Sequence, residues 1–227
     1  MPDIAHWLMA RGISPDVLLI LTFIPILVTL TSFSRYISGI KTFGIYSSMI
    51  LAFSFYYMGF VQGFTVVMLV IITSLLMRNL LRKTQLHYIS RLAVVYSTTS
   101  LFLILFIVGT SYFPTNNQYF DFTNIAVLPL VMIVSVTDRF MATYIKKDVM
   151  TAARLTGETL FISVIGWNLM RWEMLRDFFI DNLWIIPLII IINLLIGKYS
   201  GFRWSEFIRF SNVIKYGENQ EDSSKKS

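Results

Sequence analysis

Apolar positions along this chain do not alternate with polar ones. They run together in seven long blocks separated by short polar stretches: Val17–Phe33, Phe43–Phe60, Phe64–Leu81, Leu92–Tyr112, Ile125–Ile145, Val149–Met170 and Leu183–Gly197. A helix that crosses a bilayer needs about 20 mostly apolar residues, within a range of about 17–25. The first six blocks have that length. The last reaches it only if Asn182 and Lys198 lie at the interfaces. The pattern therefore predicts an all-α, polytopic membrane protein, a seven-transmembrane-helix bundle. Residues 1-16 form an extracytoplasmic stub, 17-201 the membrane domain, 202-216 a basic interfacial segment and 217-227 a polar, disordered cytoplasmic tail. The intervals are too short for a soluble domain of ordinary size. No internal repeat is visible, which argues against an inverted-repeat transporter.

Composition agrees. The chain is 56% hydrophobic and 14% charged, where soluble domains are nearer half and a quarter. With no cysteine and two histidines, disulfides, thiolate zinc sites and a cysteine nucleophile are excluded, and no metal or cofactor site is expected. The net charge of +6 reads as topology rather than as a nucleic-acid footprint. If the blocks alternate across the bilayer, sixteen of the Lys and Arg side chains fall on one side. The other side has three, Arg11, Arg171 and Arg176. Basic residues collect on the cytoplasmic side, so the N-terminus is outside, the C-terminus is cytoplasmic, and the span number is odd. The first residues lack the basic start and small-residue cleavage site of a secretory signal. Ile4, Trp7 and Leu8 share a helical face, and Trp172, Leu175, Phe178 and Phe179 can lie along the outer interface.

Ionisable groups within apolar spans are the default functional candidates, because desolvating them is costly. Two carboxylates qualify, Asp138 late in the fifth block and Glu158 early in the sixth. Arg139 and Arg154 share their layer, and Arg154 and Glu158 are spaced i,i+4 for pairing. Lys41, Arg78 and Arg203 border it, and Asn193 adds a neutral polar group. Three uses are open: a structural ion-pair network, a cytoplasm-facing pocket for an anionic ligand, and a proton-coupled role. Several chemistries are excluded. The seventh block has no lysine for a retinal Schiff base. There is no His-Glu-x-x-His, and His6 and His87 lie outside the blocks, so a Ser–His dyad has no histidine. No catalytic residue is assigned. Gly59-x-x-x-Gly63 and Gly197-x-x-x-Gly201 sit at block ends and read as turns. Pro25, Pro129 and Pro187 are expected to kink the first, fifth and seventh helices.

Gly39-Ile-Lys-Thr-Phe-Gly-Ile-Tyr46, Asp138-Arg139-Phe140, Glu158-Thr159 and Gly197-Lys-Tyr-Ser-Gly-Phe-Arg203 together resemble a bacterial seven-helix family whose members are usually fused to an inactive transglutaminase-like domain. The match runs from about Val17 to Phe210. The resemblance implies a bacterial inner-membrane protein with that domain outside, before the first span, and genes that often accompany an ATP-grasp amide ligase. Here the outer extension is about 15 residues, so the transglutaminase-like domain is expected to be missing or encoded separately. The expected function is a receptor-like or scaffolding module without catalysis. It would join that outer partner to a cytoplasmic ATP-grasp enzyme and rest on anionic lipid. The alternatives are a transporter of a small anionic or peptidic product and an enzyme acting on a lipid-linked substrate.

Because the chain has no cysteine, single cysteines report topology directly. Cysteines in place of Lys83 and Lys147 should react with an impermeant maleimide only after the inner face is opened, and one in place of Asn117 should react in sealed cells. Reversed accessibility at position 117 would refute the seven-span arrangement.

Overall fold

A computed structural model describes residues 4–81, 87–112, 127–146 and 149–198, and all regular structure among them is helical. The helices are α1 (Ile4–Ala10), α2 (Pro15–Phe33), α3 (Ile45–Met58), α4 (Phe60–Leu81), α5 (Tyr88–Tyr112), α6 (Val127–Lys146), α7 (Val149–Arg171), α8 (Glu173–Asp181) and α9 (Ile185–Lys198). A π-helical turn, Ser34–Ser38, continues α2. Among the described residues each of the seven apolar blocks lies mainly on one helix, α2–α7 and α9, and the two expected interfacial stretches fall on α1 and, from Leu175 onward, on α8. The expected segments 202-216 and 217-227 lie outside the described residues. α2 with its π turn, α4 and α5 are each long and apolar enough to cross a membrane alone; α8 and α9 are so only as a pair, bent by 100° at their junction.

The helix starts follow local chemistry. Ser14 caps α2, accepting the Val17 N–H at 3.4 Å, and Pro15 occupies the first helical position, where no amide donor is needed. The prolines correct the sequence expectation in part. Pro25 lies inside a helix, as expected. Pro187 is third in α9, after a turn at 182–184, within the first turn, where a missing N–H breaks no intrahelical bond. Pro187 thus starts its helix rather than kinking it, whereas for Pro129 the residues before Val127 lie outside the described ones.

The chain divides into two compact units, residues 1–41 with 179–227, and residues 42–178. In the first, α2 packs on α9. Asn193 Nδ2 of α9 donates to Thr29 Oγ1 at 2.6 Å and to Ile189 O at 3.0 Å, and the Thr29 hydroxyl in turn donates to Pro25 O at 2.7 Å. A polar pair of this kind joins helices in an apolar surround. Phe23, fully buried, meets Phe179 edge to face at 6.0 Å.

In the second unit α3 is central, packed against α4, α6 and α7. Leu51, Phe55 and Met58 of α3 meet Val66, Val67 and Val70 of α4, Leu103 of α5, Ile133 of α6 and Leu160 of α7. Small hydroxyl residues let α3 approach its neighbours. Ser163 Oγ of α7 lies 3.0 Å from Ser48 O and 2.7 Å from its own Thr159 O, sharing one proton between them. Ser54 Oγ lies 3.4 Å from Pro129 O of α6. Of the three helices long enough to cross alone, α5 is the least buried: Leu101, Ile104, Leu105 and Val108 are exposed, an apolar surface of the kind that lipid covers.

A single residue, Gly59 at φ 89°, reverses the chain between α3 and α4. A side chain is strained in that conformation. Gly63 acts differently from the expected turn. It lies on α4, and an added Cβ would come within 2.6 Å of Phe55 Cδ1. Phe55 is fully buried and its ring has nowhere to move. Gly63→Ala should therefore lower stability by about 1–3 kcal/mol, the usual cost of overpacking. Adding Phe55→Leu should recover part of that loss. A double-mutant cycle on detergent melting midpoints measures it, and strict additivity would contradict the contact.

Candidate functional site

Segments that lie far apart in the sequence meet at the start of α3. The π turn ends at Gly39, whose φ of 76° gives it a left-handed cap. Residues 40–44 then run without helix to Gly44, which precedes α3 with φ 141° and ψ 168°. Only glycine adopts that backbone at no steric cost. The space around Gly44 is restricted too, since an added Cβ would lie 3.3 Å from an Arg139 guanidinium nitrogen of α6.

Phe43 fastens the segment on both sides. Its N–H donates to Thr159 Oγ1 of α7 at 3.1 Å, and its ring meets Phe140 of α6 edge to face at 6.3 Å and 87°. The Thr159 hydroxyl donates its own proton to Leu155 O at 2.6 Å. It is buried and used in both directions. Behind it Phe140 packs with Leu81, Val95 and Ala152. The adjoining cavity, lined by Phe43, Leu51, Val70, Ile133, Phe140 and Thr159 among others, has about 20 Å³ of free space. That is room for about one water molecule, and the walls are almost wholly apolar. Phe43 and Gly44, Arg139 and Phe140, and Thr159, drawn from three motifs distant in sequence, thus build one packed junction.

The charged candidates are arranged less compactly than the sequence allowed. Arg154 Nε and Glu158 Oε1 form the i,i+4 ion pair at 3.0 Å, with the Arg154 side chain 81% exposed and Glu158 24%. Arg139, also exposed, stands by Gly44. Asn193 belongs to the other unit, in the α2–α9 contact. Lys41 lies at the end of that unit, exposed and with a partner of its own. The side chains of Arg78 and Asp138, and all of Arg203, lie outside the described residues. Among the described residues no group of three His, Asp or Glu could hold a metal ion.

Emphasis on ionisable groups left out the neutral ones that make the junction. Thr156, Thr159 and Ser163 recur at three- and four-residue steps along one side of α7. That spacing was visible. What it could not show is which hydroxyl also takes a bond from another segment, because threonines and serines in apolar helices routinely bond their own i−4 carbonyl. Thr156 does so at 2.8 Å, as Thr159 does.

Thr159→Val removes the acceptor of a part-buried N–H while keeping the shape. It should lower stability by about 1–3 kcal/mol. Arg154→Ala breaks a solvent-screened pair and should cost about 0–1 kcal/mol. Thermal unfolding in detergent ranks the two, and a larger loss for Arg154→Ala would contradict this account of the junction.

No curated protein sequence and no solved structure matches this chain. A family model does, over residues 14–214, and its description is seven transmembrane helices usually fused to an inactive transglutaminase. The matched stretch includes the Gly39–Tyr46 segment, both of its anchoring helices and every apolar block. The apolar helices and this match together make the chain a multipass membrane protein, and it belongs to the family of seven-transmembrane-helix proteins usually fused to an inactive transglutaminase.

Proposed function

We propose that this chain is a non-catalytic, receptor-like coupling module of the bacterial inner membrane, with seven spans, the N-terminus outside and the C-terminus in the cytoplasm. Outside it takes a transglutaminase-like partner. Inside, with anionic lipid around it, it positions a peptide-modifying enzyme of the ATP-grasp class. The observation that carries this reading is the junction at Phe43: Gly44, Arg139, Phe140 and Thr159 hold the chain between three helices around an apolar cavity of about 20 Å³. Such a junction transmits a displacement of one helix to the others, because packed cores shift between discrete arrangements rather than deforming continuously. The charge asymmetry supports a cytoplasmic position for this end of unit two, where the ligase would dock.

A transporter of small anionic or peptidic products is the second reading, and a lipid-linked enzyme the third. Transport needs a wet path past Phe43 and Phe140, and the cavity beside them is apolar and close to filled. The coupling reading is preferred for that reason.

Co-expression with an ATP-grasp ligase and a transglutaminase-like protein from the same genome tests it. Both should be retained on the tagged chain in mild detergent. Arg139→Ala and Lys41→Ala should reduce ligase retention several-fold and leave the outer partner bound. Retention of neither partner would overturn the coupling role.

A further inference from the structure

At the far end of the second unit, where α3 ends, α4 begins and α7 ends, lies a cleft of about 430 Å³ lined by Tyr56, Met58, Gly59, Phe60, Val61, Gln62, Trp167 and Arg171. It is about the size of an ordinary small-ligand site. It also has a built wall. Phe60 stacks on Trp167 at 5.0 Å and on Phe64 at 5.8 Å. The Arg171 guanidinium lies over Trp167, 5.4 Å from the ring centre.

The electrostatics are one-sided. Among the described residues no carboxylate lines the cleft. Among the described residues Arg171 makes no ion pair, in contrast to Arg176, which bonds Asp177 at 3.0 Å and also donates to the Tyr56 hydroxyl. A guanidinium engaged by an indole face, rather than by a carboxylate, still has N–H donors to offer an oxyanion. Gly59 has no side chain with which to cap the first turn of α4, and the positive end of that helix adds to the field. The walls supply apolar and aromatic contact, and the rim supplies a planar cation.

We propose that this cleft binds a small ligand that carries one carboxylate and an apolar or aromatic side group, as at the C-terminus of a short peptide. The aromatic wall takes the side group and Arg171 takes the carboxylate in a two-point bond. By the charge asymmetry of the loops this end faces outward. The site stands independently of the coupling role, because it lies at the opposite end of α3 from the Phe43 junction.

The test uses the full chain in nanodiscs of zwitterionic lipid and isothermal titration calorimetry. The probes are N-acetyl-leucyl-phenylalanine, its C-terminal amide, and phenyl phosphate. The acid should bind about tenfold or more tightly than the amide, the usual worth of a charge-assisted bond. Arg171→Gln should abolish that preference, and Arg171→Lys should keep part of it. Arg11→Gln should leave it unchanged, because Arg11 also sits over an indole, that of Trp7 at 4.2 Å, but does not line the cleft. Melting midpoints of the variants without ligand separate loss of binding from loss of fold. Equal binding of acid and amide, an unchanged preference in a folded Arg171→Gln, or tighter binding of phenyl phosphate than of the acid would each overturn the assignment. So would loss of acid binding when anionic lipid is added, which would name a lipid headgroup as the occupant.

Discussion

A backbone N–H without a partner is tolerable in water and costs several kcal/mol in hydrocarbon. The 14 residues of α3 rise about 21 Å, short of the about 30 Å of a bilayer core. For the chain to cross at this point, the residues on either side of α3 must enter the apolar region without helical hydrogen bonds of their own. The bond from Phe43 N–H to Thr159 answers that demand. It places non-helical backbone against protein rather than lipid. The edge-to-face ring of Phe140 and the nearby guanidinium of Arg139 follow from the same need, since each fills the space beside this non-helical main chain.

Between helices in lipid, apolar burial contributes little, because acyl chains are as apolar as leucine. Close approach and polar contacts take its place. The second unit is built accordingly. Ser47, Ser48 and Ser54 are buried on α3, and Thr159 and Ser163 are buried on α7. The Asn193–Thr29 bond does the same for α2 and α9. Hydroxyls that in a soluble core would be a liability here let backbones come near. The bulky residues, Phe55 and Leu51 above all, fill the remaining volume.

The helices were legible because lipid imposes long apolar runs and the seven blocks carry them. Their ends were less so. The second block begins at Phe43, but the helix begins at Ile45, since hydropathy does not register that Gly44 takes a backbone closed to other residues. Pro187, read as a kink, opens its helix. Of the charged candidates, the Arg154–Glu158 spacing showed its own pairing because i,i+4 neighbours are set by helix geometry. The Gly44–Arg139 approach and the Thr29–Asn193 bond join residues on different helices, and no periodicity along one chain encodes a distance between two. The motifs that carry the family resemblance named the right segments for the junction, although its chemistry rests on an amide, a hydroxyl and two rings rather than on charges.

The one-residue link at Gly59 bears on how the protein is made. With no polar loop between α3 and α4, a translocating chain has almost nothing hydrophilic to carry across at this point. The short α3 would be a weak stop for the insertion machinery by itself, whereas α4 is 22 residues long and strongly apolar. Joined by a glycine that already holds the reversal, the two helices can enter the bilayer as a single hairpin, with the longer one supplying the affinity that the shorter one lacks. The central helix of the finished unit would then depend, during synthesis, on the helix that follows it.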